Sequence, residues 1–87
     1  MTSDEIISSS DWKRVAKRVA LPPRQLEIAQ QIMQGCGDRQ IAERLGVKVP
    51  TVRTHLGRMY AKLKVQNRSQ LILYLIHKAR LTEDQNR

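Results

Sequence analysis

Phenylalanine is missing from this 87-residue chain, and aromatic side chains make up only 3% of it. A small β-domain leans on cross-strand pairs of aromatic and β-branched residues, so the scarcity favours a bundle of Leu, Ile, Val, Ala and Met helices. No run of about 18 apolar residues occurs, which excludes a membrane-spanning helix. The opening Met1-Thr2-Ser3-Asp4-Glu5 is acidic and lacks the basic-then-apolar order of a secretory signal. A single cysteine, Cys36, cannot form an internal disulfide. A small domain without such staples suits a reducing compartment, and a cytoplasmic location is expected. Chemistry-bearing sets are also missing. There is no Gly-rich phosphate loop, no paired carboxylate in an apolar context, and no Ser/His/Asp or Cys/His set; His55 and His77 lie far apart. No enzymatic activity, cofactor or metal site is expected.

What the chain has in surplus is positive charge: 16 Lys and Arg against 8 Asp and Glu, a net charge of +8. A surplus of that size on so short a chain points to a polyanionic partner. Its placement sharpens the inference. From Gly46 to Arg68 the basic residues are Lys48, Arg53, Arg58, Lys62, Lys64 and Arg68, with no acid among them.

Helical periodicity and breakers divide the chain. Residues 1–9 are polar and expected to fray. Trp12, Val15, Ala16 and Val19 form the apolar side of a short helix over 11–19, with Lys13, Arg14, Lys17 and Arg18 opposite. Leu21-Pro22-Pro23 ends it, and prolines are tolerated in the first turn of the next helix, 22–34, which turns Ile28, Ala29, Ile32 and Met33 inward. Gly35 and Gly37 break that one, leaving Cys36 in a core slot. A short helix over 38–45 follows, with Ile41, Ala42 and Leu45 as its apolar face and Asp38 suited to the positive end of its dipole. After Gly46-Val47 comes a helix over 49–63, opened by Pro50. At about 100° per residue, Val52, Leu56, Met59 and Leu63 fall within about 60° of one another and face the core. Pro50, Thr54, Gly57, Arg58 and Ala61 occupy the opposite arc, flanked by Arg53, Thr51 and Lys62. Small residues at the centre allow close approach to a groove wall, and cations stand at the edges. The last helix begins at Asn67, with Gln70 completing a capping box, and runs to 77–79. It is apolar over more than half its circumference and so needs two partners: the core, and either a second subunit or the N-terminal helix, which Leu73 and Ile76 would then cover. Residues 81–87 read as a polar tail. The organisation expected is an N-terminal segment over 1–20, a helical domain over 21–80 and that tail.

Specific residues then carry a resemblance. Leu21-x-Pro23-Arg24-x-x-Glu27-Ile28 is followed by Gly35 and by Ile41-Ala42-Glu43-Arg44-Leu45-Gly46-Val47. Thr51-Val52-Arg53-Thr54-His55-Leu56, Tyr60-x-Lys62-Leu63-x-Val65 and Asn67-Arg68-Ser69 complete the series. From Leu21 to Ile76 the chain closely resembles the LuxR/NarL/FixJ-type (GerE-like) helix-turn-helix domains of bacterial transcription regulators. The resemblance implies an all-α fold: a tetrahelical helix-turn-helix bundle, here with an extra N-terminal helix. It also implies sequence-specific binding of double-stranded DNA, with the 49–63 helix in the major groove. The family's base-reading positions fall on Arg53, Thr54 and Gly57, with Val49 nearby. Its backbone positions fall on Thr51, His55, Lys62 and Arg24, and charge adds Lys48 and Arg58. Chemistry agrees at Arg53, whose planar fork matches guanine O6 and N7, and at Lys62, a point charge suited to phosphate. Dimerisation is expected through the last helix, by Leu73 and Ile76 with Leu71 and Leu75.

Several residues depart from the family pattern. Gln25 stands where Glu is common, and Lys48 replaces the usual Ser or Thr cap before the 49–63 helix. Lys64 replaces a Gly or Asn, so a left-handed backbone there stores strain. Gly57 removes a side chain from a reading position. A standalone regulator without a sensor segment is expected, governed by its amount or by a separate sensor protein, with RNA polymerase as a further candidate partner. Two other readings compete: a sigma-factor module reading the −35 promoter element, and a protein-interaction adaptor with a degenerate helix-turn-helix.

Overall fold

A computed structural model describes residues 9–84 of the chain, with side chains described for 10–80, and shows five helices joined by short turns. These are α1 (Ser9–Val19), α2 (Pro23–Met33), α3 (Asp38–Leu45), α4 (Val49–Leu63) and α5 (Arg68–Asp84). No strand occurs among the described residues. The α3 and α4 bounds coincide with those read from the sequence, and α1 and α2 differ by one or two residues at their ends. Apart from residue 9, which opens α1, the expected frayed start lies outside the described residues. Residues 81–84 continue α5 rather than forming a loose tail, and 85–87 lie outside the described residues. No Gly or Pro follows Asn67, so nothing local stops α5 where its apolar pattern fades.

Helix exits share one device. After α2, the Cys36 N–H donates to the Gln31 carbonyl and the Gly35 N–H to that of Ile32, each at 3.0 Å. After α3, Val47 N–H reaches the Ala42 carbonyl at 3.0 Å and Gly46 N–H that of Glu43 at 3.3 Å. After α4, Val65 N–H reaches the Tyr60 carbonyl at 3.0 Å and Lys64 N–H that of Ala61 at 3.3 Å. Each pair satisfies carbonyls that the helix end leaves open, and each needs a left-handed residue. Gly35 at φ 89° and Gly46 at φ 69° supply it without a Cβ penalty. Lys64 at φ 59° supplies it as a non-glycine residue; Ala20, just after α1, is the other non-glycine residue with a left-handed backbone among the described residues, at φ 51°.

The core draws on every helix. Val15 of α1, Ile28 of α2, Ile41 of α3, Val52 and Met59 of α4, and Leu71 and Leu75 of α5 are all fully buried. Each such side chain contributes about 1.5–3 kcal/mol relative to exposure. Cys36 takes the buried slot expected of it, whereas Leu45 and Leu63 are half-buried at the edge. Two packing relations set the architecture. Helices α2 and α3 both pack on α4, and α1 packs on α5. Of the four residues read as the apolar side of α1, Trp12, Val15 and Val19 are buried and Ala16 is half-buried.

The second neighbour of α5 is therefore α1 of the same chain. Leu71 and Leu75 are buried in this intramolecular core, which corrects their assignment to a dimer interface: no surface of either remains for another copy. Ile76 is half-buried, and Leu73 stays 66% exposed.

Candidate nucleic-acid interface

The Gly46-Val47-Lys48 turn lets α4 leave α3 at once, and the two helices pack directly on each other. Three inward residues, Val52, Leu56 and Met59, fix the rotation of α4 about its own axis. Its opposite arc is thereby presented outward. Pro50, Thr51, Arg53, Thr54, Gly57, Arg58, Ala61 and Lys62 are all exposed. At Gly57 a Cβ would meet nothing within 4 Å, so the gap in the middle of this face opens outward and is not filled from within the chain. Val49 and His55 are half-buried at the margins.

The start of α4 is held only by its backbone. Lys48 occupies the cap position with φ −94° and ψ 156°, and no side chain accepts from the first-turn N–H groups; Pro50 has none, and that of Thr51 donates to the Lys48 carbonyl at 3.0 Å. Those groups leave a positive helix end beside an exposed ammonium. The Thr54 hydroxyl donates to the Pro50 carbonyl at 3.0 Å, turning its oxygen along the helix while leaving lone pairs to accept. His55 Nδ1 is buried and takes no hydrogen bond.

The cations of this region are not equivalent. Arg53 donates through Nε to Asp38 Oδ2 at 3.2 Å, although its side chain is 69% exposed. The other carboxylate oxygen, Asp38 Oδ1, accepts from Arg68 Nη2 at 2.6 Å. One carboxylate at the start of α3 thus joins α4 to α5. Tyr60 lies beside this cluster. Burial raises its phenol pKa above the ordinary value; the Arg68 charge opposes that rise and the Asp38 charge adds to it, so the ring stays neutral near pH 7. Lys62 donates through Nζ to the Ala20 carbonyl at 2.8 Å and so ties α4 to the corner after α1. Arg24 forms a long 3.7 Å pair with Glu27 on the exposed side of α2. Arg58 and Lys48 are exposed and, among the described residues, neither enters an ion pair.

The structure thus gathers Lys48, Thr51, Arg53, Thr54, Gly57, Arg58 and Lys62 along one helix, with Val49 and His55 at its flanks; Arg24 belongs to a different helix. Sequence reasoning missed Asp38, which it read only as a complement to the α3 dipole. A signal was present. The acid-free run from Gly46 to Arg68 can find a carboxylate only outside itself, and Asp38 is one of the nearest acids along the chain. Among the described residues no group of three His, Cys, Asp or Glu side chains is placed to hold a metal ion. Nor is any described helix long and apolar enough to cross a membrane.

Comparison with known proteins gives a consistent result. The family described as bacterial regulatory proteins, luxR family, matches residues 19–75. The oxygen regulatory protein NreC of Staphylococcus epidermidis is 37% identical over 76 residues, which cover 87% of this chain and 33% of that protein. The response regulator protein VraR of Staphylococcus aureus is 34% identical over 62 residues, 71% of this chain and 30% of that protein. The transcriptional regulatory protein YxjL of Bacillus subtilis is 40% identical over 53 residues, 61% of this chain and 24% of that protein. The chain spans a third or less of the length of these relatives. No solved structure matches it.

Proposed function

Because the chain belongs to the luxR family of bacterial regulatory proteins, we propose that it binds double-stranded DNA sequence-specifically to regulate transcription, with residues 21–80 as the binding domain and α4 in the major groove. One observation carries the reading. The outward arc of α4 is exposed along its length, small at its centre, bordered by Arg and Lys, and without an acid. A helix that needed only solubility would mix both signs of charge. Arg53, Thr54 and Gly57, with Val49 at the edge, are the base-facing set. Thr51, His55, Arg58, Lys48 and Lys62, with Arg24 from α2, face phosphates. The bonds that Arg53 and Lys62 already make do not exhaust them: Arg53 keeps its terminal Nη donors, and Lys62 keeps two of its three.

Binding as a dimer is part of the proposal, with Leu73 and Ile76 as the apolar contact. Two α4 helices then meet half-sites about one helical turn, roughly 10 base pairs, apart. The reading includes no catalytic step and no cofactor.

A gel-shift titration against fragments selected from random duplexes tests it. Affinity falls steeply with salt as counterions are released from the phosphates. Arg53→Ala reduces the preference for selected over random DNA by roughly 5- to 150-fold, the span of one bidentate base contact. Lys62→Ala weakens both DNAs equally and lowers the salt slope by about one. Full preference retained by Arg53→Ala contradicts the assignment, and no retardation of any duplex at low salt contradicts the function.

A further inference from the structure

We infer that Asp38, anchored by Arg68, is a positioning residue that sets which edge of the Arg53 guanidinium can meet a base; the inference rests on the DNA-binding reading above. The geometry is specific. Asp38 lies in the first turn of α3 with its side chain only 20% exposed. Its Oδ1 is held at 2.6 Å by Arg68 Nη2 from α5, and its Oδ2 accepts from Arg53 Nε at 3.2 Å. The Arg68 bond is short even for a charge-assisted pair and the Arg53 bond is longer, so the carboxylate is anchored on the α5 side and offers its second oxygen to Arg53.

A guanidinium can offer a base two parallel N–H groups in two ways, through Nε with one Nη or through both Nη groups. Asp38 takes the Nε edge. The pair left for guanine O6 and N7 is then the terminal one, which points along the axis of the side chain. Without the carboxylate, the long Arg53 side chain samples many rotamers and both edges on an exposed helix face, and ordering it on DNA costs affinity at that one base. Asp38 gives this exposed cation a fixed partner within the fold. Arg68 explains why the carboxylate stays put, since its own side chain is 36% exposed and reaches in from α5. Asp38 also sets its negative charge beside the proposed groove-facing surface, where it repels phosphates whatever their sequence. The bracket therefore favours discrimination at the expense of general affinity.

Two effects in opposite directions follow, and a residue that merely stabilised α3 would not produce both. Asp38→Asn keeps the shape of the side chain and removes its charge. Selection of bound duplexes from a random pool, read base by base, is carried out with the wild-type chain, Arg53→Ala, Asp38→Asn and the double variant, and affinity for random duplex is measured alongside. Asp38→Asn is expected to relax preference at the same base position as Arg53→Ala, by about tenfold for one weakened bidentate contact. It is expected to raise affinity for random duplex about twofold as a repulsive charge is lost. In the Arg53→Ala background it changes the base profile no further. Arg68→Gln, which frees the anchor and leaves Asp38 in place, gives the same single-position relaxation and serves if Asp38→Asn fails to fold. Relaxation at one position by Arg53→Ala and at none by Asp38→Asn or Arg68→Gln leaves DNA binding standing and overturns the positioning role alone. Unchanged preference in Arg53→Ala, or no duplex retained by the wild-type chain, overturns both.

Discussion

Lys64 has the left-handed backbone, φ 59° and ψ 40°, that closes α4, in a position where most chains place Gly. A Cβ in that region costs about 1–2 kcal/mol, part of which glycine's greater freedom in the unfolded chain gives back. Lys64→Gly is therefore expected to stabilise the fold by roughly 0.5–1 kcal/mol, read as a higher denaturant midpoint with an unchanged slope. That strain was legible in the sequence because the family pattern names the residue type the turn requires. Ala20 is also left-handed, and nothing in the sequence marked it. Its carbonyl finds Lys62, 42 residues on, a partner that local periodicity does not reveal. The Asp38–Arg53 pair was hidden for the same reason. The helical wheel puts Arg53 outward, and only the crossing of α3 over α4 decides whether a carboxylate lies within reach of it.

At the scale of the helix, the sequence located ends well wherever a breaker stands. Gly46 and Pro50 bracket the turn between α3 and α4, and Gly35 ends α2. For α5 the start was legible. Gln70 N–H donates to Asn67 Oδ1 at 2.9 Å, while the Gln70 side-chain oxygen accepts from Gln66 N–H at 2.7 Å, a box shifted by one residue from the expected form. Its end was not, since no residue there forbids another turn. A wheel also shows how much of a helix is apolar without showing what covers it. Leu71 and Leu75 are buried in the chain's own core, and of the four residues read as a dimer contact only Leu73 and Ile76 keep surface. The start of α4 gives a sharper prediction, because Lys48 leaves its N–H groups without a side-chain acceptor. Lys48→Ser supplies one and is expected to raise stability by about 1 kcal/mol. The same change removes an exposed cation at the proposed interface, so affinity for any duplex falls. Opposite movements of melting temperature and DNA affinity in one variant are the expected result.

Across the whole molecule, the first helix is bound into the fold as firmly as the rest. Val15 is fully buried and Trp12 is 9% exposed, both in the core that α5 completes. Val15→Ala is expected to cost about 1–3 kcal/mol, a large share of the stability of so small a domain. The single Trp12 gives the readout, its emission moving to longer wavelength at lower denaturant in the variant. Composition had already indicated the fold class through the lack of aromatics, and the acid-free segment had indicated the face; the packing of α1 on α5 was one of two covers that the apolar pattern of α5 left open. All of this positions one surface, the outward arc of α4, and its encounter with DNA can be observed residue by residue. Amide chemical shifts of isotope-labelled protein, followed by nuclear magnetic resonance while a selected duplex is added, are expected to move most at Thr51, Arg53, Thr54, Gly57 and Arg58. Shifts concentrated instead around Leu73 on α5, with α4 silent, would contradict the account.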